Sequence, residues 1–428
     1  MTLACAAAGV ASAPLVVGLV GLTLALLFAP RGVERALTSA LEPAVRAVDA
    51  KIACVFIPYI TAVPASNLPA GAHLCAAAVA CAAGYLATMC IAGHVAQAFT
   101  VEDDESGGAK DEATGGSSAV LGAKEESARG PGKAGEAALA RAADEKKPPP
   151  PPEALWVAAA AILAAAGAAV SRFAPRDVSF SVAFAPSYLA ATVATYLAST
   201  RVPARLQRVG LFPTITGGIA MALVSAGVGA ATGAGAIGGI REYCDGAGRV
   251  LLYFVPPAVL GLAFRVKAQR RALEANFAAV AVAVAVAVPG GFAVAAALGR
   301  ALGLPAWLTL ATVPKCTTTG LAVSMAAQIG ADPSLVAAGC ALSGTAGLAA
   351  GRALMDLAGV RGAVPRGVAT GCSSHAAGTA GLAAGGEEEA AAVSGVAFAF
   401  AGVLGVALLE WGACRAALGV IAGAPVGA

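Results

Sequence analysis

Charged side chains are scarce in this sequence: Asp, Glu, Lys and Arg make up 12% of its 428 residues, where a soluble domain carries about 25%. A chain so poor in charge cannot cover a surface in water with polar groups, which excludes an ordinary soluble globule and points to lipid as the solvent. Aromatic residues are few (5%) and histidines number 3. A net charge of +3 is too small for a nucleic-acid binder. The ten cysteines form no C-x-x-C pair, so neither a disulfide framework nor a zinc site is expected. No Walker loop, G-x-S-x-G, H-E-x-x-H or dinucleotide fingerprint is present. A soluble enzyme and an ATP-driven pump are thereby excluded, and no cofactor or metal is called for. Residues 1–10 lack a basic n-region and the Arg/Ser-rich character of a transit peptide, so targeting is internal or a leader precedes this sequence.

What is abundant is Ala, Val, Leu and Gly. Mean hydropathy is +0.78. Crossing a ~30 Å hydrocarbon layer takes about 20 apolar residues. Runs of that kind fall at residues 11–29, 48–64, 71–99, 154–171, 179–200, 209–230, 248–264, 275–298, 305–329, 334–354, 367–384 and 390–410. The expected fold class is therefore all-α: a polytopic transmembrane helical protein of about 10–12 membrane segments. Gly and Ala suit close helix approach in lipid. Residues 101–153 interrupt the pattern with Glu, Lys, Gly and Ser and end in the proline run Pro148–Pro152. That composition predicts a disordered linker with a stiff end.

Basic loops near Arg31, Arg35, Arg46 and Lys51, then Arg201, Arg205 and Arg208, then Arg265, Lys267, Arg270 and Arg271, share one side, as the positive-inside rule expects. Arg352, Arg361 and Arg366 join them only if residues 305–329 re-enter without crossing. In that case residues 209–298 and 334–410, each reading span, broken span, span, become an inverted repeat with discontinuous helices, a transporter plan that places the site at the repeat interface.

Three stretches put helix breakers or polar groups at membrane depth. Pro256 and Pro257 interrupt a span and free carbonyls of the preceding turn; they shape an unwound wall or form a tolerated kink. Pro314, Lys315, Thr317, Thr318 and Thr319 place a lysine, which costs roughly 2.5–3.5 kcal/mol in a membrane helix, beside three hydroxyls. Lys315 faces a cavity, a counter-charge or an anion, or it is an interfacial loop residue with the threonines as caps. Residues 369–380 carry Ser374, His375, Gly378 and Thr379 and are too Gly- and hydroxyl-rich for a plain helix in lipid. They offer backbone N–H groups to an anion and a proton-linked imidazole, or they are a packing face around a satisfied histidine. His73 and His94 read as interfacial, and Glu387, Glu388 and Glu389 as a solvated turn.

Two blocks resemble the LrgB family. They are Val313-Pro314-Lys315-Cys316-Thr317-Thr318-Thr319-Gly320-Leu321-Ala322 and Arg366-Gly367-Val368-Ala369-Thr370-Gly371-Cys372-Ser373-Ser374-His375-Ala376-Ala377-Gly378-Thr379-Ala380, with Ala331-Asp332-Pro333-Ser334-Leu335 between them. More faintly, Val55-Phe56-Ile57-Pro58-Tyr59 resembles an element of the LrgA/CidA holin-like proteins. The chain departs at Gly320, where bacterial members often have Pro, and at Ala376, where Gly is usual. Neither change removes a polar group. A fused LrgA-like/LrgB chain, with Cys316 where bacterial members usually have Ser, is similar to a plastid group of carriers. The resemblance implies an LrgA-like membrane region at 1–100, the linker at 101–153, connecting transmembrane helices at 154–205, an LrgB-like transport domain at 206–412 and a tail at 413–428. It also implies a multi-pass protein of the plastid inner envelope that exports glycolate and imports glycerate in photorespiration, with protons as a coupling partner and homo-oligomers allowed. The expected substrate-binding set is Lys315 and Gly378 for the carboxylate, Thr318, Thr319, Ser374 and Thr379 for the hydroxyl and remaining oxygens, and His375 as the proton-linked group or a second donor, with Pro256, Pro257 and Pro314 shaping the broken helices. The competing class, implied by bacterial relatives, is a holin-like or antiholin-like protein controlling murein hydrolase export and lysis. Saturable exchange separates the first from the non-saturable leak of the second.

Overall fold

The computed structural model describes residues 12–49, 52–66, 68, 71–100, 162, 180–207 and 211–424. The linker and the span at 154–171 lie outside the described residues, apart from Ile162. Every described regular element is a helix. Five helices are long and apolar enough to cross a membrane: Gly71–Phe99, Pro213–Thr232, Leu273–Ala301, Pro333–Leu357 and Glu388–Glu410. The chain is a polytopic helical membrane protein.

Small residues let these helices touch. A Cβ on Gly229 would sit 2.3 Å from the Gly235 carbonyl oxygen, so the Pro213–Thr232 and Gly235–Tyr243 helices meet backbone to backbone, as small residues allow in lipid. Helix ends follow ordinary chemistry. Gly233 adopts φ 84° after Pro213–Thr232, and the Asp332 carboxylate caps Pro333–Leu357 by accepting from the Ser334 and Leu335 N–H groups.

The basic stretch expected as a loop at Arg31–Arg46 is instead the helix Arg31–Asp49. Its apolar residues recur at helical spacing, which a reading by charge alone overlooks. It is anchored by Lys267, whose Nζ pairs with Glu34 at 2.9 Å and donates to Thr38 Oγ1 at 2.7 Å.

Two segments do not cross. Ala363–Ala384 has 22 helical residues, which as one rod would be about 33 Å long. Yet Arg366, in its first turn, bonds Glu387, just past its end, at 2.6 Å. The chain reverses at His375, whose φ of 45° and ψ of −143° are not helical. Residues 363–374 go in and 376–384 come back, a re-entrant hairpin. A Cβ on Gly378 would lie 2.8 Å from Thr370 Cγ2, eight positions away, which only antiparallel arms permit.

Residues 305–329 fold likewise. Ala306–Ala311 leads into a tight turn at Val313–Cys316, Thr317 and Thr318 are extended, and Thr319–Gln328 returns. Ala311 packs in one cluster with Ala322, Ala326 and Ala331, and Trp307 shares a cavity wall with Ala326 and Gly330. The two hairpins enter from opposite ends. Arg366 and Glu387 mark the end where Arg361 N–H meets Gln97 Oε1. At the other end Gln328, closing the first hairpin, donates to Glu410 Oε1 at 2.8 Å, and Arg300 donates to the Val420 carbonyl. Each hairpin is followed by one crossing helix, Pro333–Leu357 or Glu388–Glu410. The inverted unit is thus hairpin plus span, shorter than the triplet expected from residues 209–298. There the middle segment is a chain of short helices and a π-turn, Gly235–Ala268 in all.

The foot of the second hairpin makes a testable demand. Glu387 is no solvated turn residue. It accepts from Arg366 and Arg352, and Arg366 also reaches Asp356. The Arg366 guanidinium holds the Glu387 carboxyl below its ordinary value. Arg366→Met should cost about 2–4 kcal/mol, less than the ~3–5 of a fully buried pair because some solvent reaches both partners. A depressed carboxyl contributes stability above its unfolded-state pKa and loses it as pH falls through the folded value. Thermal melts in detergent should therefore show wild type losing stability below about pH 4.5, and Arg366→Met losing less across that window. Parallel curves for the two proteins would rule the network out.

Candidate functional site

The hairpin tips meet around a cavity of about 260 Å³, just below the ~300–1,000 Å³ typical of drug-sized ligands. Thr318, Thr319 and Gly320 line it from the first tip, and His375, Ala376 and Ala377 from the second. Gly344 and Ala341 of Pro333–Leu357 lie between them, and Phe56, Ile60, Phe212, Ile215, Val259 and Phe398 form apolar walls.

Two returning arms start at this cavity. The first three N–H groups of a helix have no carbonyl partner within it, and its macrodipole puts about +0.5 charge at that end. Thr319–Gln328 begins at Thr319, and the second arm of the other hairpin begins at Ala376; both residues line the cavity. Two positive half-helix ends thus converge on one small space. Thr318 is the N-cap residue of the first arm, but its hydroxyl makes no cap bond, and its Oγ1 is buried with no partner among the described residues. A buried hydroxyl left unpaired costs roughly 1–3 kcal/mol, so this one is open to a ligand or water.

His375 is the sole described non-glycine residue with positive φ. Its Nε2 lies 3.1 Å from the Cys340 carbonyl oxygen. A carbonyl only accepts, so Nε2 carries the hydrogen and Nδ1 remains as the ring's other polar atom. Gly344 makes room for the ring: a Cβ there would be 2.9 Å from His375 Cε1.

The structure divides the expected set. Thr318, Thr319 and His375 line the cavity. Lys315 does not. It is fully buried behind the first tip, Nζ has no partner among the described residues, and a Cβ on Gly84 would lie 2.5 Å from it. Its carbonyl accepts from Ser343 Oγ at 2.5 Å. Pro314 is buried in the same turn, its carbonyl accepting from Cys340 Sγ. Ser374 and Thr379 also turn away from the cavity: Ser374 donates to the Thr370 carbonyl, while Thr379 donates to the His375 carbonyl and bonds Ser394. Gly378 packs against Ser374 and Thr370. These hydroxyls satisfy themselves on carbonyls four residues back, so the run expected to be non-helical breaks only at His375. Pro256 and Pro257 open a short helix, Val255–Leu260, after a break at 253–254. Pro256 is exposed, and the wall from this segment is Val259.

Phe56, Ile60, Phe212, Gly344 and Phe398 were not foreseen as site residues. Single apolar residues in apolar runs carry no local signal of the cavity they face.

The LrgB-like family model matches residues 192–413, just over half of the chain. The plastidal glycolate/glycerate translocator 1, chloroplastic, of Arabidopsis thaliana is similar, 29% identical over 245 residues that make up 56% of this chain and 48% of that protein. The chain thus spans about half the length of that curated relative. No solved structure matches it.

Proposed function

This chain belongs to the LrgB-like family, and on that premise we propose that it is a secondary carrier of small 2-hydroxycarboxylates. Its exchange would be glycolate for glycerate across the plastid inner envelope, in support of photorespiration. The single observation that carries the reading is the convergence of two half-helix N-termini on a small cavity where the buried Thr318 hydroxyl has no partner among the described residues. A carboxylate is the natural guest of such ends. The Thr318 hydroxyl and His375 Nδ1 are then placed to bond the 2-hydroxyl or the second carboxylate oxygen, and a proton taken up at Nδ1 would travel with the anion. Lys315 adds to the preference for anions from behind the tip, without touching the guest. Ser374, Gly378 and Thr379 hold the second tip in shape. The name of the Arabidopsis relative supplies the particular substrates.

Purified protein in liposomes loaded with unlabelled glycerate should take up labelled glycolate by saturable counterflow, competed by glycerate and less well by pyruvate and lactate. A linear, uncompeted leak would favour the holin-like class instead.

A further inference from the structure

We propose that the short helix Ile57–Ala62, with Phe56 before it, is the wall that sets which acyl lengths the cavity accepts. The inference rests on the carrier reading above and concerns residues well outside the 192–413 match.

Phe56 and Ile60 line the cavity that holds Thr318 and His375. Phe56 reaches the first hairpin: a Cβ on Gly320 would lie 3.5 Å from its Cζ. Ile60 cannot retreat. Behind it a Cβ on Gly218 would lie 2.5 Å from Ile60 Cβ, and Thr61 Oγ1 donates to the Gly218 carbonyl at 3.2 Å. The opposite face of the same helix, Pro58, Tyr59 and Ala62, lines a second, wider cavity of about 740 Å³ that is also bounded by Trp307 and Asp332. Six residues therefore separate a broad space reaching the base of the first hairpin from the narrow one between the tips.

Apart from Thr214, on the Pro213–Thr232 helix, the polar side chains lining the narrow cavity belong to the hairpins, and both helix N-termini do too, so a carboxylate and its 2-hydroxyl are held at the hairpin side. The remainder of the solute has to point at apolar side chains. A two- or three-carbon acid fits, while a longer tail meets Ile60 and Phe56. One methylene in an apolar pocket changes selectivity by roughly 10–200-fold, so trimming either side chain should admit longer acids.

The test is counterflow in liposomes with labelled glycerate and a labelled 2-hydroxy acid bearing a branched four-carbon tail. Ile60→Ala, Ile60→Val and Phe56→Leu should each raise the ratio of branched acid to glycerate, by roughly tenfold or more for Ile60→Ala. Ile219→Ala, at an exposed position of the Pro213–Thr232 helix, should leave the ratio at the wild-type value. Ile60→Val and Phe56→Leu are small enough changes to keep the fold if the alanine variant does not. Glycerate exchange with an unchanged ratio in those two variants overturns the assignment of the wall. Wild-type liposomes that exchange no 2-hydroxy acid overturn the carrier reading beneath it.

Discussion

His375→Gly is expected to be at least as stable as His375→Ala, and both are expected to lose exchange by about 100-fold or more. The ordering follows from the backbone. At φ 45° and ψ −143° a residue with a Cβ is held where glycine sits freely, at a cost of about 1–3 kcal/mol. Both variants lose the bond to the Cys340 carbonyl, worth about 0.5–1.5 kcal/mol, and the ring that packs on Gly344. Only glycine recovers the strain. Wild type and His375→Gly should then melt within about 1–2 kcal/mol of each other, with alanine below both. The reversal at this residue keeps Arg366 beside Glu387, so a stable His375→Gly protein retains the hairpin and lacks only the imidazole. Melts in detergent and counterflow on the same preparations read both quantities. Alanine more stable than glycine would mean the backbone at the tip is unstrained. Near-normal exchange in both variants would remove the ring from transport.

Much of this fold could be read from the sequence, because its long helices follow from hydropathy and length. Gly71–Phe99 and the last span, Glu388–Glu410, lie close to where apolar runs placed them. The hairpins were half legible. Pro314, Lys315 and the threonines marked a break, and the arginine cluster marked a failure to cross, but the same apolar run of some 20 residues serves a span or a hairpin equally. The pairing of Arg366 with Glu387 decides it, and that pairing joins charges 21 positions apart. Within the site, Thr318, Thr319 and His375 were found as polar groups at depth. The same rule marks Lys315, Ser374 and Thr379, and bare backbone N–H groups mark Gly378, yet all four lie behind the tips, because sequence shows that a group is polar and buried, not which way it points. Hydroxyls in helices often bond back to their own turn, as Ser374 and Thr379 do. Phe56 and Ile60 show the opposite limit, since a cavity wall in lipid has the composition of everything around it.

Lys315 carries the other large expected effect. Its side chain has 0% exposure and an Nζ with no partner among the described residues, so burying that polar end costs the fold several kcal/mol that no described residue returns. Lys315→Met keeps the stem and removes the amine, and should be as stable as wild type or more so. Gly84 supplies an independent check. A methyl there would meet Nζ at 2.5 Å, Cε at 3.0 Å and Ala295 Cβ at 3.5 Å. Gly84→Ala should therefore cost about 1–3 kcal/mol in the wild-type background and distinctly less with Lys315→Met, since methionine is one atom shorter. The two changes should couple by about 0.5–3 kcal/mol; simple additivity would place the amine elsewhere. Exchange should move the other way. On the carrier reading proposed above, an unpaired lysine kept at a cost to stability is one with a part in transport. Lys315→Met should therefore fold well and exchange glycerate about tenfold more slowly or worse, the field behind the first tip having lost its source. A variant that is both more stable and fully active would show that the cavity draws its anion from the two helix ends alone.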